Sequence, residues 1–447
     1  MPPQEPQNKE KQRELFRVEL ERIIDMAHGL VKLSSQIRWE EFEGVLAHLY
    51  CEDNGRSASS TRLMVGLHYL KHTFDLSDEA TLEQWVQNPY WQYFCGMKHF
   101  EHELPIHYSS MSRWRSKIAE AGAEKMLAES IAAGLRAKVI KVQQMERVNV
   151  DTTVQEKHIR FPTDARLYHR MRERLVKEAL KEGIVLRQTY RFVGCKTLIR
   201  QSRYAHAQQF NRAKKMTLKL KTLLGRVVRD IRSKTTERSV RLEDFLELAD
   251  RLLTQQRKDS HKLYSIHEPH VECISKGKIH KRYEFGCKVA LATTSRGNWI
   301  VSASAVHGNP YDGHTLDHTV QQMKKLTGSV PQQIFCDLGY RGAQPIKESQ
   351  IHVVPRKRRH LPRSLRLWMN RRAAIEPVFG HLKSDHRLER NRLKGKQGDQ
   401  LNALLSASGF NIRKLLRAFF CPHWTCLFKS LFPKLIFNFQ SSTFLPI

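Results

Sequence analysis

In the stretch RVNVDTTV at residues 147–154, the helical pattern of the preceding residues changes to one typical of a β-strand. Its apolar side chains alternate with polar ones, so that Val148 and Val150 point to one face and Asp151 points to the other. A period of two predicts a β-strand. The prediction is therefore a strand that carries a carboxylate, Asp151, near its end.

Strand-like runs return after a long helical stretch. The runs YEFGCKVALATT and NWIVSASAVHG, joined by a turn at residues 295–297, predict a β-hairpin. A helix over residues 316–326 follows. Next come two short strands, QQIFCD, which ends at Asp337, and IHVV, which stops at Pro355. The last predicted element is a helix that carries Glu376.

The order of these elements predicts an α/β fold. It runs strand, helical insertion at residues 166–265, two strands, helix, two strands and helix. Without the insertion, this order matches a ribonuclease-H-like mixed sheet with flanking helices, here preceded by an all-α N-terminal domain. In that arrangement the first and fourth strands are neighbours. We therefore expect Asp151 and Asp337 on adjacent strands, with Glu376 brought over them by the final helix.

The residues before the first strand are predicted to be helical. In WEEFEGVLAHL, residues 39–49, apolar side chains recur every three or four positions. A later helix is predicted to start at a cap formed by Ser109 or Ser110. It carries three basic residues, Arg113, Arg115 and Lys117. A basic helix after a tight connection is typical of a DNA-binding helix-turn-helix, but an ordinary solvated helix face explains these residues equally well.

The net charge restricts the partners of the chain. Lysine and arginine number 76 and acidic residues 45, a formal net charge of +31. This excess favours a polyanion, which means DNA, RNA or an anionic membrane surface. The membrane is disfavoured, because no run of about 18 apolar residues occurs and the N-terminus MPPQEPQNKEKQREL lacks the apolar core of a signal peptide. The sequence therefore predicts a cytoplasmic, nucleoid-associated protein.

The cysteines and histidines predict no metal centre. The eight cysteines include no C-x-x-C pair, which argues against a zinc ribbon or a disulfide framework. Cys287 and Cys336 lie inside apolar strand-like runs and are expected to be small core residues. The 22 histidines form no evident ligand cluster. A Walker loop is also missing, so ATP is not implied.

The two aspartates and the glutamate make an oxygen-only ligand set. Such ligands suit Mg²⁺ or Mn²⁺ rather than Zn²⁺. Two ions about 4 Å apart activate the attacking oxygen and stabilise the leaving oxygen of a phosphodiester. Taken singly, Asp337 is as readily a turn residue, and Glu376 a surface partner of Arg372. Their joint place in the strand order predicts that Asp151, Asp337 and Glu376 are catalytic metal ligands.

Basic residues surround Glu376. Arg372 precedes it by four residues and Lys383 follows it by seven, so all three lie near one helix face. The two cations are predicted to hold DNA phosphates on either side of the reacting one. Further basic residues follow at Arg387, Arg390, Arg392, Lys394 and Lys396. This density predicts a DNA-binding surface that includes Arg387.

Several separate runs, in order, resemble the bacterial insertion-sequence transposases of the IS-five group, from about residue 35 to residue 417. They are VDTTVQEKHIRFPTDARLYHR, RYAHAQQFNRAKK, HGNPYDGHTL, CDLGYRG and RRAAIEPVFGHLK. In that family the metal-binding acids are the aspartate of VDTT, the aspartate before GYRG and the glutamate before PVFGHLK. The resemblance assigns these roles to Asp151, Asp337 and Glu376. It implies a DDE transposase that cleaves the inverted repeats of its element and transfers the freed 3′ hydroxyls to target DNA.

Related groups carry a tyrosine, arginine, glutamate and lysine signature around that glutamate. Arg372, Glu376 and Lys383 match its spacing, but the tyrosine position falls on Met369. At this position the chain departs from the signature and lacks the tyrosine that would contact DNA. Because transposition brings two DNA ends together, the resemblance implies a homodimer or larger assembly on double-stranded DNA.

Four segments are expected along the chain. Residues 1–20 are predicted to be disordered, and residues 21–141 to form the helical DNA-binding domain. Residues 142–419 form the predicted catalytic domain, and residues 420–447 an apolar tail that departs from the family pattern.

Two other classes of function fit parts of the sequence. Met369 and the unusual tail are compatible with a transposase-derived repressor that binds DNA without cutting it. Tyr340, beside Asp337, suggests a recombinase or relaxase with a covalent tyrosine, although the GYRG turn explains that residue better. Metal-dependent nicking of DNA would remove the repressor, and a covalent protein–DNA adduct would favour the tyrosine enzyme.

Overall fold

A computed structural model describes residues 18–49, 58–235, 237–260, 262–275, 282–354 and 361–420. The predicted disordered N-terminus and the predicted apolar tail lie almost entirely outside these residues. The described chain forms one mixed sheet with an apolar core around it, and a second apolar core within the helical insertion.

The sheet occupies the centre of the described chain. Its strands are β1 (Arg147–Glu156), β2 (Glu272–Ser275), β3 (Tyr283–Thr294), β4 (Ile300–Val306), β5 (Gln333–Cys336) and β6 (Gln350–Val353). Their order is β2-β3-β1-β5-β6, and β4 also pairs with β3. The predicted hairpin is confirmed as the antiparallel pair of β3 and β4. Strand β2 was not predicted, because four residues carry too little periodicity to be recognised.

The register of β1 confirms the predicted neighbours. β1 is antiparallel to β3 and parallel to β5, and Val150 pairs with Cys336. β1 is covered on both faces, so its polar positions are buried as well. Asn149, for example, is fully buried and accepts a hydrogen bond from the Ser295 hydroxyl at 2.8 Å. The alternation in the sequence therefore marks two buried faces of different polarity rather than a core face and a solvent face.

Seven helices precede β1 in the described chain. They are α1 (Leu20–Ile23), α2 (Gly29–Gln36), α3 (Glu40–Leu46), α4 (Thr61–Thr73), α5 (Asp78–Gln87), α6 (Pro89–Phe94) and α7 (Tyr108–Arg136), the last interrupted at Ala119. The predicted cap of α7 is wrong, because its N-cap is His107, whose ring accepts a hydrogen bond from the Ser109 amide. Residues 95–107 connect α6 to α7. This connection is too long for the turn of about three or four residues in a helix-turn-helix.

The insertion between β1 and β2 is helical, as predicted. It contains α8 (Asp164–Lys181), α9 (Arg191–His206), α10 (Phe210–Lys234) and α11 (Val240–Thr254). Residues such as Leu175, Leu224 and Leu246 build its own buried core. The later helices are α12 (Leu316–Thr327), α13 (Arg363–Arg371), α14 (Ile375–Asp385) and α15 (Gly395–Phe420). None of the described helices combines the length and apolar character needed to cross a bilayer.

The N-terminal helices share a core with the sheet. Helix α15 joins them, because it packs against α4, α7 and β4. α4 and α15 approach so closely that a Cβ atom on Gly409 would lie 2.5 Å from the backbone carbon of His72. Only glycine fits at this crossing. The all-α segment that was predicted as a separate domain is therefore packed onto the α/β core.

Candidate active site

Two aspartates stand side by side where β1 and β5 cease to pair. The last paired residues are Val150 and Cys336, and the next residues are Asp151 and Asp337. The Asp151 side chain is 18% exposed. Asp337 accepts a hydrogen bond from the Gly339 amide at 2.9 Å and so caps a short 3₁₀ turn. Asp337 is therefore a turn residue as well as a neighbour of Asp151.

Glu376 is linked to Asp151 by Arg372. Nη1 of Arg372 lies 3.2 Å from Oδ2 of Asp151, and Nη2 lies 3.6 Å from Oε1 of Glu376. The guanidinium is 13% exposed, whereas the Glu376 carboxylate is 65% exposed on the first turn of α14. A single cation thus bridges a strand acid and a helix acid. Arg372 was predicted to hold a DNA phosphate, and in this structure it compensates the charge of the acids.

A fourth carboxylate, Asp312, was missed by the sequence analysis. Its Oδ1 accepts hydrogen bonds from Thr152 Oγ1 at 3.2 Å and from Lys288 Nζ at 3.0 Å. Its Oδ2 lies 3.2 Å from the position that a Cβ on Gly339 would occupy. Asp312 therefore adjoins the residues that follow Asp151 and Asp337. Asp312 is the aspartate of the motif HGNPYDGHTL, and this motif is the sequence signal that marks it.

If Asp151 and Asp337 bind metal, as the sequence predicts, Asp312→Asn is expected to lower catalytic activity by about 10–100-fold, the usual cost of losing a residue that orients metal ligands. The carboxylate ties Thr152, the neighbour of Asp151, to the Lys288 ammonium. Asparagine keeps the shape but weakens the bond to lysine. The measurement is the cleavage rate as a function of Mg²⁺ concentration, with Asp317→Asn on the exposed start of α12 as the control. Equal rates for both variants would contradict a positioning role for Asp312.

Tyr340 is enclosed behind the aspartates. It is 1% exposed, and burial, followed by the nearby Cys336 thiol and the Asp151 and Asp312 carboxylates, raises the pKa of its phenol well above the usual range. Burial likewise raises the pKa of the Cys336 thiol, with Asp151 and Asp337 adding to the shift. A covalent nucleophile needs access and a reachable anionic form. The tyrosine recombinase alternative is therefore not supported.

Two predicted DNA contacts near α14 are engaged within the protein. Lys383 Nζ lies 3.8 Å from Oε1 of Glu284 on β3, and its side chain is 21% exposed. Arg387 donates to the Asp75 carbonyl at 3.2 Å, and its side chain is 23% exposed. Met369, at the tyrosine position of the signature, is buried in α13. DNA contacts by Lys383 and Arg387 stay predictions, whereas Met369 faces the protein interior.

The three basic residues of α7 have different surroundings. Arg113 and Lys117 are exposed, so their predicted contact with DNA stays a prediction. Arg115 is 5% exposed and forms two hydrogen bonds of 2.6 Å to the Asp78 carboxylate. The prediction that Arg115 binds DNA is wrong, because its guanidinium is enclosed and already paired. Arg115 instead fastens α7 to α5.

Comparisons with known proteins agree with this arrangement. The family described as "Transposase domain (DUF772)" matches residues 18–117, and the family described as "Transposase DDE domain" matches residues 255–412. An uncharacterised protein of Rhizobium meliloti, ORF8 of the nfe locus, is 49% identical over 197 residues, which are 44% of this chain and 95% of that protein. No solved structure matches.

An α/β core with paired strand acids and these two matches define a transposase, an enzyme that acts on DNA. The chain belongs to the DDE transposases of bacterial insertion sequences. Enzymes of this family typically use divalent metal ions.

Proposed function

We propose that this transposase binds the terminal inverted repeats of its insertion sequence, cleaves the DNA ends and transfers 3′ hydroxyls to target DNA. The observation that carries the proposal is the adjacency of Asp151 and Asp337, with Glu376 joined to Asp151 through Arg372. The quoted motifs further support membership of the IS-five group.

The sheet supports a ribonuclease-H-like catalytic core. Its central order, β4-β3-β1-β5-β6, places the hairpin on one side of β1 and the two parallel strands on the other. Only β3 runs against the other strands of this set. Helices α14 and α15 flank the sheet, with α14 against β1 and α15 against β4. This placement favours a catalytic centre at the ends of β1 and β5.

Asp151, Asp337 and Glu376 would hold two Mg²⁺ or Mn²⁺ ions, because all of their donors are carboxylate oxygens. Such ions supply an activated attacking oxygen and a stabilised leaving oxygen. Arg372 keeps two of these acids close together despite their repulsion, since its guanidinium contacts both. Once other cations balance the acids, the guanidinium is available for the phosphate contact predicted from the sequence.

A basic cleft supports binding of the DNA backbone beyond the acids. It lies between the insertion and the end of β1, has a volume of about 1440 Å³, and includes exposed cations from both sides. They include Arg160, Arg166, Arg170, Lys177, Arg241, Arg251 and Lys394. Among the described residues, Arg160, Lys177 and Arg251 pair with no carboxylate within 4.0 Å. Unpaired cations that line one cleft favour a phosphate chain as the ligand.

Reversing the charge of these unpaired cations is expected to weaken DNA binding for any sequence. Arg160→Glu, Lys177→Glu and Arg251→Glu should each also reduce the slope of log affinity against log salt by about 0.9 per lost phosphate contact. Fluorescence anisotropy with a labelled duplex at several salt concentrations measures both effects. Lys347→Glu, an exposed site outside the cleft, is the control. If the cleft variants match this control, DNA does not occupy the cleft.

The test of the proposed function is cleavage of DNA that carries the inverted repeats bracketing the gene. The purified chain should nick this DNA in Mg²⁺ or Mn²⁺ and leave a 3′ hydroxyl at the element end. The buried Met369 favours, as the alternative, a repressor derived from a transposase. Sequence-specific binding without nicking in either metal would establish the repressor and reject the enzyme.

The cellular setting follows from the same proposal. Joining two ends requires two active sites, so we expect a homodimer or larger assembly on double-stranded DNA. We also expect a cytoplasmic, nucleoid-associated protein, because a charge of +31 attracts the chain to DNA. Size-exclusion chromatography with light scattering, with and without the end DNA, measures the assembly.

A further inference from the structure

A second cluster of ligand-type side chains lies away from the acids described above. Cys287 is on β3, His307 directly follows β4, and Asp399 is on α15. Each offers one ligand atom, and these atoms all lie within 4.8 Å of one another. Metal–ligand bonds of about 2.0–2.3 Å place the donors of one tetrahedral ion about 3.3–3.8 Å apart. The three donors therefore lie close enough to serve one ion, which would draw them slightly closer together.

The imidazole in this cluster lacks a hydrogen-bond partner. Both ring nitrogens of His307 are buried and bond to nothing among the described residues. The nearest carboxylate oxygens are Oδ2 of Asp399, 3.8 Å from Nε2, and Oε1 of Glu272, 4.0 Å from Nδ1. A buried polar group without a partner is costly and calls for an explanation, such as an ion. A metal bound through Nε2 would satisfy that nitrogen and leave Nδ1 facing Glu272.

The Asp399 carboxylate is oriented toward His307. Its Oδ1 accepts hydrogen bonds from Lys157 Nζ and from Asn391 Nδ2, both at 2.7 Å. Its other oxygen, Oδ2, is the one that faces His307. Lys157 and Asn391 therefore fix the carboxylate from behind, as outer partners of a metal ligand commonly do.

The cluster carries excess negative charge in an otherwise basic protein. Three acidic side chains, Glu268, Glu272 and Asp399, are 4%, 20% and 5% exposed. The cations near them are Lys157, 3% exposed, and Lys396, an exposed residue whose charge acts on His307. With a neutral His270, whose ring lies 3.0 Å from Glu268, one negative charge is left, and a Cys287 thiolate would add another. Because buried charge requires compensation, this balance attracts a cation.

We propose that Cys287, His307 and Asp399 bind a zinc ion that is separate from the catalytic metals. A thiolate and an imidazole select zinc over Mg²⁺ or Mn²⁺, which prefer oxygen donors alone. Glu272 lies 4.0 Å from Nδ1, the other ring nitrogen of His307, so it is placed as an outer partner of the ring rather than as a ligand. The ion would join the β3–β4 hairpin to α15, which lies much later in the sequence, and so act as a structural cross-link.

The zinc cluster is distinct from the proposed catalytic centre. Cys287 pairs with Gln155, whereas Asp151 pairs with Leu291 on the same strand pair. Four residues along a strand separate the two sites by about 13 Å. The ligands of one site are therefore not ligands of the other, and zinc content can be measured without reference to DNA cleavage.

The experiment is metal analysis of the full-length chain by mass spectrometry after zinc loading and gel filtration. We expect one zinc per chain in the wild type, and none in Cys287→Ser or His307→Ala. Cys95→Ser, at a cysteine buried elsewhere, and Asp151→Asn, at the catalytic acid, should both retain one zinc. Loss of zinc from the catalytic variant alone, or full zinc in the Cys287 and His307 variants, would overturn the proposal.

A spectroscopic measurement on the unmutated chain covers the case in which a variant does not fold. Cobalt(II) in place of zinc should produce a thiolate-to-cobalt charge-transfer band, and excess zinc should remove that band. Mg²⁺ should leave it unchanged, because hard cations do not compete for thiolate. A cobalt-loaded wild type without this band would exclude Cys287 as a ligand and reject the site.

Discussion

Asp151→Asn, Asp337→Asn and Glu376→Gln are each expected to lower metal-dependent DNA cleavage by at least about 1000-fold, which corresponds to about 4 kcal/mol of lost transition-state stabilisation. Each change removes a carboxylate that would hold the metal ions, and these ions supply several kcal/mol of charge stabilisation. Neutralising an acid does not remove any cation that contacts phosphate. DNA affinity is therefore expected to be maintained or to increase.

The measurements are the single-turnover rate of nicking at the inverted repeats and the affinity for the same DNA. Asp317→Asn, an exposed acid on α12, is the matched control and should cleave at the wild-type rate. If Asp337→Asn cleaves as fast as this control, the assignment of the acids is wrong. If affinity and cleavage fall together, the substitution has disturbed the fold rather than the chemistry.

The second large effect is expected on stability. Arg115→Met should lower the free energy of unfolding by about 3–5 kcal/mol, the cost of leaving one partner of a buried ion pair without the other. Asp78 would retain Lys71, at 2.6 Å, but lose both bonds from the guanidinium. The exposed Arg113→Met is the control, with an expected change of less than about 0.5 kcal/mol. Urea denaturation followed by tryptophan fluorescence measures the difference.

The same pair predicts a dependence on pH. Burial alone would raise the pKa of Asp78, but hydrogen bonds and charge from Arg115 and Lys71 hold it well below its usual range. A carboxyl whose pKa is lowered by folding stabilises the protein fully above its unfolded value of about 3.9. That contribution decreases as the pH falls further toward the folded pKa. The gap in stability between wild type and Arg115→Met should therefore narrow below about pH 4; a gap that is constant down to pH 2 would contradict the ion pair.

The two α7 variants also separate structure from DNA contact. If α7 contacts phosphates, Arg113→Met should weaken DNA binding without lowering the free energy of unfolding. Arg115→Met should lower the free energy of unfolding, because it removes a buried ion pair. The sequence could not make this distinction, because both residues are arginines on one predicted helix. Their exposure depends on α5, which provides Asp78 for only one of them.

The order of the strands was enough to predict part of the acid site. Asp151 and Asp337 were predictable as neighbours, because alternating and apolar runs define strands and the α/β order makes the first and fourth strands adjacent. The contact of Arg372 with both Asp151 and Glu376 was not predictable, since it depends on how α14 lies against β1. Asp312 was missed for a similar reason. It begins a short 3₁₀ turn, Asp312–Thr315, which is too short for periodicity to show which direction a side chain faces.

Five of the six described strands, the helical insertion, the basic charge and the family could be identified from the amino-acid sequence. These properties depend on local periodicity, on composition and on motifs that can be recognised one at a time. Only the tertiary structure decided that Arg115 is buried, that the N-terminal helices share the core of the sheet, and that Cys287, His307 and Asp399 meet. Such contacts join residues far apart in the chain, and the packing of whole elements sets the distances between them.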